Sequence, residues 1–410
     1  MDTNAPGLLL VGSGAQQYRE YILAAVSRHF RVWLLDSDAP TWQLAHLEGA
    51  TRLDVRDPQA LQRAAREVMD RLPVAGVLTY DEWLVLPVAR LARELGLPGS
   101  SPEAILACRD KARTRSVLTA AGVPQPAYAV VSTVEEAIES ATAIGYPVVV
   151  KARDLAGSLG VVRADDPTAV IAAVSAAVTA RYPGVPREGT DLLVEEYLTG
   201  PEISVDTVVA AGVCTPLVVA RKQVGFAPYF EEIGHTVDGA DPLLHDPELL
   251  EQLSGIHRAL GFDYGFTHAE FKMTPGGPRL VEVNARLGGD LIPYLGMLAT
   301  GVDPAVAAAR AAVGLPPDTT PRHRRFAAVR FLYPEADCEV LDLTVHEDRQ
   351  GPTVHRSSAT VGPGTRLELP PRGYLSRYGN VIAVGDDRAQ VTADLSEAES
   401  IVELHAKPLD

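Results

Sequence analysis

The chain reads Thr267-His268-Ala269-Glu270-Phe271-Lys272-Met273, then Thr-Pro-Gly-Gly-Pro, then Arg279-Leu280-Val281-Glu282-Val283-Asn284-Ala285-Arg286. Apolar and polar residues alternate on both sides of the Pro-Gly-Gly-Pro turn, which predicts an antiparallel β-hairpin. A turn centred on Gly276 pairs position 270 with position 282, so that two carboxylates face each other, whereas a register shifted by one residue would separate them. Glu282 and Asn284 project from the same face of their strand.

These side chains are candidate metal ligands. Like charges that face each other across two strands destabilise a hairpin unless a cation lies between them. Two glutamates and one asparagine offer hard oxygen ligands, which suit Mg²⁺ held jointly with substrate phosphates. Solvated charges on an edge hairpin are the alternative, and the apolar residues between the polar ones disfavour it. We therefore predict a metal site at Glu270, Glu282 and Asn284.

Length and charge narrow the function classes. The chain has 410 residues, of which 46% are hydrophobic and 22% charged, enough for two or three domains with cores of their own. The net charge of −16 repels the phosphate backbone of nucleic acids at long range, so nucleic acid is not an expected partner. Any phosphate site must therefore concentrate its donors within a cleft.

Cysteine usage and hydropathy indicate the compartment. Cys108, Cys214 and Cys338 are far apart in sequence and predict reduced thiols rather than disulfides or a zinc site. The N-terminus carries no basic leader region, and no segment approaches the roughly 20 apolar residues of a membrane span. We expect a cytoplasmic protein without a membrane partner.

The N-terminal segment follows a parallel α/β pattern. The apolar run at residues 8–11 ends in Gly12-Ser13-Gly14, and a helical stretch and a second strand that ends at Asp36 follow. A Gly-x-Gly turn with an acid at the end of the next strand is a partial dinucleotide fingerprint and supports the hypothesis of an NAD-dependent dehydrogenase. Gln17 occupies the third glycine position, which favours an ordinary tight turn.

The remaining chain predicts further elements. Strands are expected at residues 74–79 and 99–100, and a helix from Lys111 to about Ala121. Residues 127–198 predict a small lobe, in which strands at 127–131, 148–151, 160–163 and 192–196 alternate with helices at 134–144 and 168–180. Residues 199–330 predict strands and hairpins followed by an alanine-rich helix at 304–313. The last 85 or so residues indicate short strands and turns, with a helix near 396–405.

A lysine and a glycine-containing loop form a candidate anion site. Lys151 stands at a strand end before a loop that contains Gly157, Ser158 and Gly160. Glycines let backbone amides close on an anion, and the lysine supplies a compact charge. A hairpin turn with a surface lysine is the alternative.

The acidic segment at residues 193–206 is a weaker candidate. A strand ends there in an extended connector, and a second strand begins after Gly200-Pro201. The connector would bind an adenine edge through its backbone and Glu195, and Glu202 would accept hydrogen bonds from ribose hydroxyls. An ordinary acidic loop explains the same residues.

Taken in order, these segments resemble the ATP-grasp superfamily over about residues 1–330. Lys111 precedes the lid, Lys151 and its glycine loop lie within the lid, and Glu270 with Glu282-x-Asn284-x-Arg286 closes the site. The resemblance implies that ATP lies between two α+β lobes and that the N-terminal domain resembles a Rossmann unit without using NAD. The implied α/β and α+β architecture comprises an N-terminal Rossmann-like (pre-ATP-grasp) domain at 1–110, a linker helix and small mobile lid at 111–198, the ATP-grasp catalytic core at 199–325 and a β-rich C-terminal subdomain at 326–410.

The resemblance also implies ligand contacts. Two Mg²⁺ ions, which Mn²⁺ can replace, would be held by Glu270, Glu282 and Asn284. ATP would contact Lys111 and Lys151 at its phosphates, with Gly157, Ser158 and Gly160 covering them, Glu195, Glu196 and Leu198 along the adenine edge, and Glu202 at the ribose.

Within the superfamily, the chain most resembles the L-amino acid ligase group of carboxylate–amine ligases. The features that support this are Glu231-Glu232-Ile-Gly-His235, Thr267-His268-Ala-Glu270 and Arg286-Leu-Gly288-Gly289-Asp290. The resemblance implies that a substrate carboxylate attacks the γ-phosphate of ATP to give an acyl phosphate and ADP. An amine then displaces phosphate and forms an amide between small amino acids, or between an amino acid and a small carboxylic acid. A homodimer that makes dipeptides in secondary metabolism is the corresponding expectation.

Biotin carboxylase is the rival within the same fold. Those enzymes follow the matching arginine with an acid and a histidine, where this chain has Leu287-Gly-Gly-Asp290. A dehydrogenase would leave Glu270, Glu282 and Asn284 unexplained. A non-catalytic nucleotide sensor is disfavoured because the expected phosphate and metal residues are all retained.

Three side chains are candidates for the chemistry itself. Arg286 would hold the acyl phosphate as a bidentate cation, or form an ion pair with one of the metal-site glutamates. His235 and His268 would bind a substrate carboxylate or guide the amine. Structural hydrogen bonding is the alternative for both histidines.

The residues that follow Arg286 are candidates for substrate binding. The backbone of Gly288 and Gly289 would approach the substrate closely, or would merely begin a helix. Asp290 would accept a substrate ammonium group, or cap the N-terminus of the segment that begins at Leu291.

Overall fold

The computed structural model describes residues 5–182 and 189–409. The N-terminal strands are β1 (Gly7–Val11), β2 (Arg31–Asp36), β3 (Gly49–Arg52) and β4 (Val74–Leu78), and the helices are α1 (Gln16–Val26), α2 (Pro58–Met69), α3 (Val85–Leu95), α4 (Pro102–Arg109) and α5 (Lys111–Ala120). The strands form a parallel sheet in the order β3-β2-β1-β4. Apolar side chains are buried on both of its faces, as a parallel sheet covered by helices requires. This part of the chain confirms the predicted α/β pattern.

The next lobe is an antiparallel sheet with two helices. Its elements are β5 (Tyr128–Val131), α6 (Val134–Ile144), β6 (Val148–Ala152), β7 (Val162–Ala164), α7 (Pro167–Thr179) and β8 (Leu192–Glu196). The strand order is β5-β8-β6-β7. The helices predicted at 134–144 and 168–180 match α6 and α7 closely, because a Thr or Asp cap and a regular apolar face mark both.

A large antiparallel sheet lies at the centre. Its first strands are β9 (Glu202–Ala210), β10 (Val213–Gly225), β11 (Glu231–Asp238), β12 (Gly265–Thr274), β13 (Gly277–Asn284) and β14 (Phe326–Leu332). The helices of this region are α8 (Pro247–Leu260), α9 (Ile292–Thr300) and α10 (Pro304–Ala312). Helix α8 was not predicted, although Asp246-Pro247 at its start and Gly261 after its end are standard boundary signals.

The C-terminal residues extend this sheet and add a small second one. The elements are β15 (Cys338–Val345), β16 (Val354–Ala359), β17 (Arg366–Leu367), β18 (Gly379–Gly385), α11 (Arg388–Ser396), α12 (Ala398–Ile401) and β19 (Val402–Pro408). The central sheet has the order β13-β12-β9-β10-β11-β14-β18-β16, and the second sheet is β17-β15-β19. The central sheet therefore continues across the predicted boundary at residue 325.

Two predicted elements were wrong. Residues 99–100 form a connection instead of a strand, since Pro98 and Pro102 flank them and the Ser100 hydroxyl binds the backbone of residues 263–264. The helix expected near 396–405 ends at Ile401, and β19 follows. The apolar alternation of Val402 and Leu404 matches a strand paired with β15, so strand pairing decided this segment.

The alanine-rich helix α10 joins the N-terminal sheet to the central sheet. Ala305, Ala308 and Ala312 belong to one core cluster with Leu8 of β1 and Val208 of β9. Small side chains allow this close approach of helix and strands. No single helix among the described residues is long and apolar enough to cross a membrane, and only the bent pair α9 and α10 reaches that limit together, by length and composition alone.

The contact between β4 and α10 leaves no room for a side chain at Gly76. A Cβ atom there would lie 2.1 Å from the Ala312 carbonyl oxygen. We expect Gly76→Ala to lower the free energy of unfolding by about 2–3 kcal/mol, because the backbone of α10 must move away. Urea unfolding followed by circular dichroism measures this change.

Gly255→Ala is the matched control, since a Cβ atom at that position in α8 would have only Val123 Cγ2, at 4.0 Å, as a neighbour. Alanine is the better helix former, so this variant should gain up to about 1 kcal/mol. Equal stabilities of the two variants would contradict the tight contact between β4 and α10.

Candidate active site

The hairpin of β12 and β13 has the predicted pairing at the two glutamates. Glu270 pairs with Glu282, and His268 pairs with Asn284. The ladder shifts between Glu270 and Phe271, so the strands bend beside the two glutamates. The predicted pair is confirmed, but the turn is not centred on Gly276: Thr274 pairs with Gly277, and the unpredicted extra residue at the shift brings Glu270 opposite Glu282.

Each of the two facing carboxylates has a lysine partner. Lys111 Nζ lies 3.0 Å from Glu282, and the Asn284 side-chain amide donates a hydrogen bond of 2.8 Å to the same carboxylate. Lys222 Nζ lies 3.0 Å from Glu270. Burial acts to raise the pKa of both glutamates, but the lysines outweigh it and lower both pKa values. Both side chains are therefore anionic at neutral pH.

Lys222 was not predicted, and it connects three carboxylates. Its side chain is 2% exposed, and Nζ lies 3.0 Å from Glu202 and contacts Glu232 in addition to Glu270. These acids raise the pKa of Lys222 against the effect of burial. Lys222 stands between polar neighbours on β10, a pattern shared by many surface lysines, so the sequence offered little to single it out.

Glu202, the predicted ribose ligand, lies at the edge of the same cluster. Its second carboxylate oxygen is 2.8 Å from Lys272 Nζ. Both residues line the cleft between the lid sheet and the central sheet. Glu202 thus lies in a cleft beside the metal-site glutamates, where its role at a ribose stays a prediction, and the structure adds two lysine partners.

Glu195 has different partners from those predicted. Its carboxylate accepts hydrogen bonds from Arg115 Nε at 2.8 Å and Nη2 at 3.1 Å, and Lys151 Nζ lies 2.6 Å away. Burial acts to raise the pKa of Glu195, but Arg115 and Lys151 lower it to about 2. The carboxylate is thus occupied by two cations, and we assign it to positioning Lys151 in place of binding an adenine edge.

The glycine loop after β6 lies over the cleft. Gly157 and Ser158 line it, with φ angles of 68° and 57°. Lys111 Nζ donates a hydrogen bond of 2.6 Å to the Leu155 carbonyl and so fixes the loop to the metal-site hairpin. Gly160 instead packs on α7, because a Cβ atom there would lie 2.8 Å from Ala180 Cβ.

The nucleotide-sized cleft combines apolar walls with charges. It encloses about 810 Å³, including space open to solvent. Its lining includes Glu196 and Leu198 of the acidic segment at residues 193–206, both of which were predicted, and Phe230, which was not. Aromatic and aliphatic surfaces suit a flat base, while lysines and carboxylates suit phosphates and divalent cations.

Arg286 forms an ion pair outside the metal site. Its Nε donates a hydrogen bond of 2.7 Å to Glu82, in the loop between β4 and α3, and not to Glu270 or Glu282. Burial acts to lower the pKa of Arg286, but Glu82 raises it. The alternative that pairs Arg286 with a metal-site glutamate is not observed, because Glu82 approaches from the N-terminal domain, 204 residues earlier in the chain.

A second cavity, of about 1110 Å³, adjoins the cleft. Ala156 and Gly157 line both cavities, so the glycine loop stands where they meet. The lining of the second cavity comes from several parts of the chain. It includes Glu82, Arg286, Gly289 and Asp290, and also Tyr18, Arg19, Tyr80, Asp81, Trp83, Tyr182, Leu375 and Arg377.

The two histidines lie behind the cavities. His235 is 0% exposed and contacts Glu232 at 3.2 Å and Asp290 at 3.3 Å. His268 contacts Asp206 at 2.6 Å and Glu270 at 3.2 Å. Burial acts to lower the pKa of His268, but the two acids raise it to about 9. Neither histidine lines either cavity, so the structure supports the structural alternative for both.

Asp290 is held by a residue that the sequence did not indicate. Arg377 Nη1 and Nη2 each donate a hydrogen bond of 2.7 Å to its carboxylate. The alternative role of Asp290 as a helix cap is excluded, because Leu291 occupies the cap position of α9 and Asp290 has a φ of 51°. Arg377 comes from the C-terminal region, outside the segment that carried the family resemblance.

The glycines after Arg286 have different roles. A Cβ atom at Gly288 would lie 2.9 Å from His268 Nδ1 and 3.0 Å from the Asp206 carboxylate, so this glycine makes room for the histidine–aspartate pair. A Cβ atom at Gly289 would meet no atom within 4 Å. Gly289 thus faces open space in the second cavity.

The N-terminal glycine turn does not support a dinucleotide site. Asp36, which would bind a ribose in such a site, accepts hydrogen bonds from the Ser13 amide at 2.9 Å and the Ser13 hydroxyl at 2.6 Å. The acid therefore closes the glycine turn. This removes the basis for the dehydrogenase hypothesis.

The buried Arg115–Glu195–Lys151 cluster predicts a pH-dependent stability. We expect Glu195→Gln to lower the free energy of unfolding at pH 7 by about 3 kcal/mol, because two buried cations lose their partner. The pKa of Glu195 is lower in the folded chain than in the unfolded chain. Its contribution to the free energy of unfolding is therefore complete above the ordinary pKa of 4.5 and is lost as the pH falls to about 2. The difference between wild type and variant should shrink across that range.

Urea unfolding at pH 7, 4 and 3 measures this difference. Glu196→Gln, at the exposed neighbouring position, is the control and should change stability far less. A constant difference from pH 7 to pH 3 would contradict the ion-pair assignment.

Three family models match parts of the chain. Residues 144–294 match an ATP-grasp domain, residues 31–99 an ATP-grasp N-terminal domain, and residues 330–407 the L-amino acid ligase C-terminal domain 2. The second model covers part of the N-terminal sheet, and the third covers the region that supplies Arg377.

Individual proteins agree with these matches. A phosphoribosylamine–glycine ligase of Allochromatium vinosum is 30% identical over 68% of this chain and 68% of its own length. Carnosine synthase 1 of Gallus gallus is 28% identical over 76% of this chain, which spans only 35% of that longer protein. The L-amino acid ligase of Bacillus licheniformis shares the fold, with a TM-score of 0.80 over 100% of both chains at 21% identity. The chain therefore belongs to the ATP-grasp superfamily of carbon–nitrogen bond-forming ligases, with a C-terminal domain of the L-amino acid ligase type.

Proposed function

We propose that the chain is an ATP-dependent carboxylate–amine ligase. It joins two small amino acids, or an amino acid and a small carboxylic acid, through an acyl phosphate and releases ADP and phosphate. The observation that carries this proposal is the meeting of two cavities at the glycine loop, one suited to a nucleotide and one lined by acids and arginines. The L-amino acid ligase type of C-terminal domain supports the same substrate class.

The residues of the cleft fit ATP with divalent cations. Glu270 and Glu282 face each other across the hairpin, and both are anionic. Together with the Asn284 side chain they would hold Mg²⁺, which neutralises charge on the phosphates during transfer. Lys111 would then contact phosphate oxygens, since a bound cation takes over its role at Glu282. Lys151, held by Glu195, would contact phosphate oxygens from its present position.

The reaction has two steps. A carboxylate oxygen of the first substrate bonds to the γ-phosphorus of ATP, and the bond from that phosphorus to the β–γ bridging oxygen breaks, which gives the acyl phosphate and ADP. The amine nitrogen of the second substrate then bonds to the acyl carbon, phosphate leaves, and the amine gives up a proton. Arg286, which lines the second cavity near the glycine loop, would stabilise negative charge on the acyl phosphate.

The ion pairs around the cleft hold these groups in place. Glu82 orients Arg286, Glu195 orients Lys151, and His268 orients Glu270. Fixed donors and acceptors need little reorganisation when charge develops in the transition state. Catalysis is therefore assigned to positioning and electrostatic stabilisation by this cluster.

A biotin-carboxylase-like reaction is the alternative within the fold. The C-terminal domain match and the Leu287-Gly-Gly-Asp290 sequence favour amino acid substrates. Asp290 is bound to Arg377, so this carboxylate serves the structure of the second cavity.

The direct test is an assay of the purified chain with ATP and Mg²⁺. ADP and phosphate release is measured over a matrix of paired L-amino acids and small carboxylic acids, and mass spectrometry identifies the products. We expect an amide product from at least one pair, with stoichiometric ADP. ATP turnover that requires bicarbonate and yields no amide would overturn the proposal.

Substitution of the metal-site glutamate should abolish turnover. We expect Glu282→Gln and Glu282→Ala to reduce kcat by at least about 100-fold, because a ligand that neutralises phosphate charge is removed. Glu251→Ala, on the exposed face of α8, is the control and should keep wild-type kcat. Circular dichroism verifies that each variant is folded, and wild-type turnover in Glu282→Gln would mean that the metal site lies elsewhere.

A further inference from the structure

The second cavity contains an arginine, Arg19, that has no acidic partner among the residues that the structure describes. Three arginines line this cavity, namely Arg19, Arg286 and Arg377. Arg286 is paired with Glu82, and Arg377 is paired with Asp290. Among the described residues, no side chain forms a hydrogen bond or an ion pair with the Arg19 guanidinium, whose central carbon lies over the Tyr80 ring, 5.2 Å from the ring centroid.

The surroundings hold Arg19 in position and do not neutralise it. Tyr80 is 1% exposed, and its hydroxyl donates a hydrogen bond of 2.9 Å to the Ser13 carbonyl, so the ring beneath the guanidinium is fixed. The Arg19 side chain also lies against Gly14, where a Cβ atom would come within 3.0 Å of Arg19 Cγ. The glycine turn that resembled a dinucleotide fingerprint thus makes room for this arginine.

The electrostatic environment favours an anion beside Arg19. Burial lowers the pKa of Arg19; Tyr21 acts to raise it, and the positive charge of Arg286 acts to lower it. The nearby Asp81 accepts a hydrogen bond from the Trp83 amide and lies beyond ion-pair distance of Arg19. A partly desolvated cation near a second cation is unfavourable until an anion binds to it.

In the coupling of two amino acids, each substrate brings a carboxylate, and only the carboxylate of the second substrate stays a carboxylate in the product. The first substrate is converted to the acyl phosphate, whose charge we assign to Arg286 and the metal-site residues. If the second substrate is an amino acid, it keeps its own carboxylate in the dipeptide product. A cation without an acidic partner in the protein is best placed to bind this group.

We propose that Arg19 binds the carboxylate of the amino acid that supplies the amine. The inference rests on the proposed ligase function and names the residue that selects free amino acids over amines without an acidic group. A phosphate monoester on the amine substrate would use the same cation, and the test separates the two sources of negative charge.

The test compares substrates that differ only in this group. For an amino acid found to act as the amine donor, kcat/KM is measured with the amino acid, its carboxamide and its decarboxylated amine. An aminoalkyl phosphate is the fourth probe. Wild type should prefer the amino acid over the carboxamide by about 10- to 100-fold, as expected for a charge-assisted hydrogen bond.

Arg19→Gln should remove that preference. We expect kcat/KM for the amino acid to fall by about 10- to 100-fold, mainly through KM, while the value for the carboxamide and the KM for ATP stay within about 2-fold of wild type. Arg19→Lys should restore part of the loss, because it keeps the charge but not the bidentate geometry. Arg28→Gln, at an exposed position just beyond α1, is the matched control and should behave as wild type.

A second measurement separates binding from folding. Arg19 makes no ion pair among the described residues, so Arg19→Gln should be at least as stable as wild type in the absence of substrates, as thermal unfolding can show. Equal losses with the amino acid and the carboxamide, or a wild-type preference for the aminoalkyl phosphate, would overturn the Arg19 assignment alone. The absence of any amide product would overturn the proposed function and this assignment with it.

Discussion

The central constraint on this molecule is the repulsion between Glu270 and Glu282, which face each other across one hairpin. In the structure, Lys222 and Lys111 compensate these two charges. Neither lysine comes from the hairpin, so the charge pair can be stable only when the central sheet and the helix before the lid are both assembled around it. The same need for positive charge makes the hairpin a suitable site for divalent cations and a triphosphate.

From this pair, charge compensation extends through the surrounding elements. Lys222 also binds Glu202 and Glu232, and Glu232 is shared with His235. Beyond these residues, Arg377 binds Asp290 and thereby brings the C-terminal region to the wall of the second cavity. Buried ion pairs add little net stability, because desolvation offsets most of their attraction. Their main effect here is to fix the relative positions of elements that are distant in sequence.

The match between expectation and structure was closest where the information is local. The hairpin follows from alternation and its Pro-Gly turn, although a bulge beside Glu270 sets the exact pairing of the glutamates, and the limits of α6 follow from its Thr133 cap and its apolar face. The segments at 99–100 and 396–405 were misjudged because their backbone partners lie far away in sequence. In the segment 396–405, the residues from Val402 onward pair with β15 and form β19, where a helix was expected. The set of cleft residues was therefore predicted better than the partner of each residue.

By itself, the sequence determined the order of the lysines, the glycine loop, the acidic connector and the Glu-x-Asn-x-Arg strand, and with it the family and the chemical character of the cleft. Only the tertiary structure decided which charges neutralise one another. The partners in Arg115–Glu195, Asp290–Arg377 and Glu82–Arg286 are 80, 87 and 204 residues apart. Such pairs leave no periodic or spacing signal in a single sequence, because they form only when separate sheets pack together. That Arg19 has no acidic partner within residues 5–182 and 189–409 is likewise a property of the packed cavity, since it depends on which acids pair with Arg286 and Arg377.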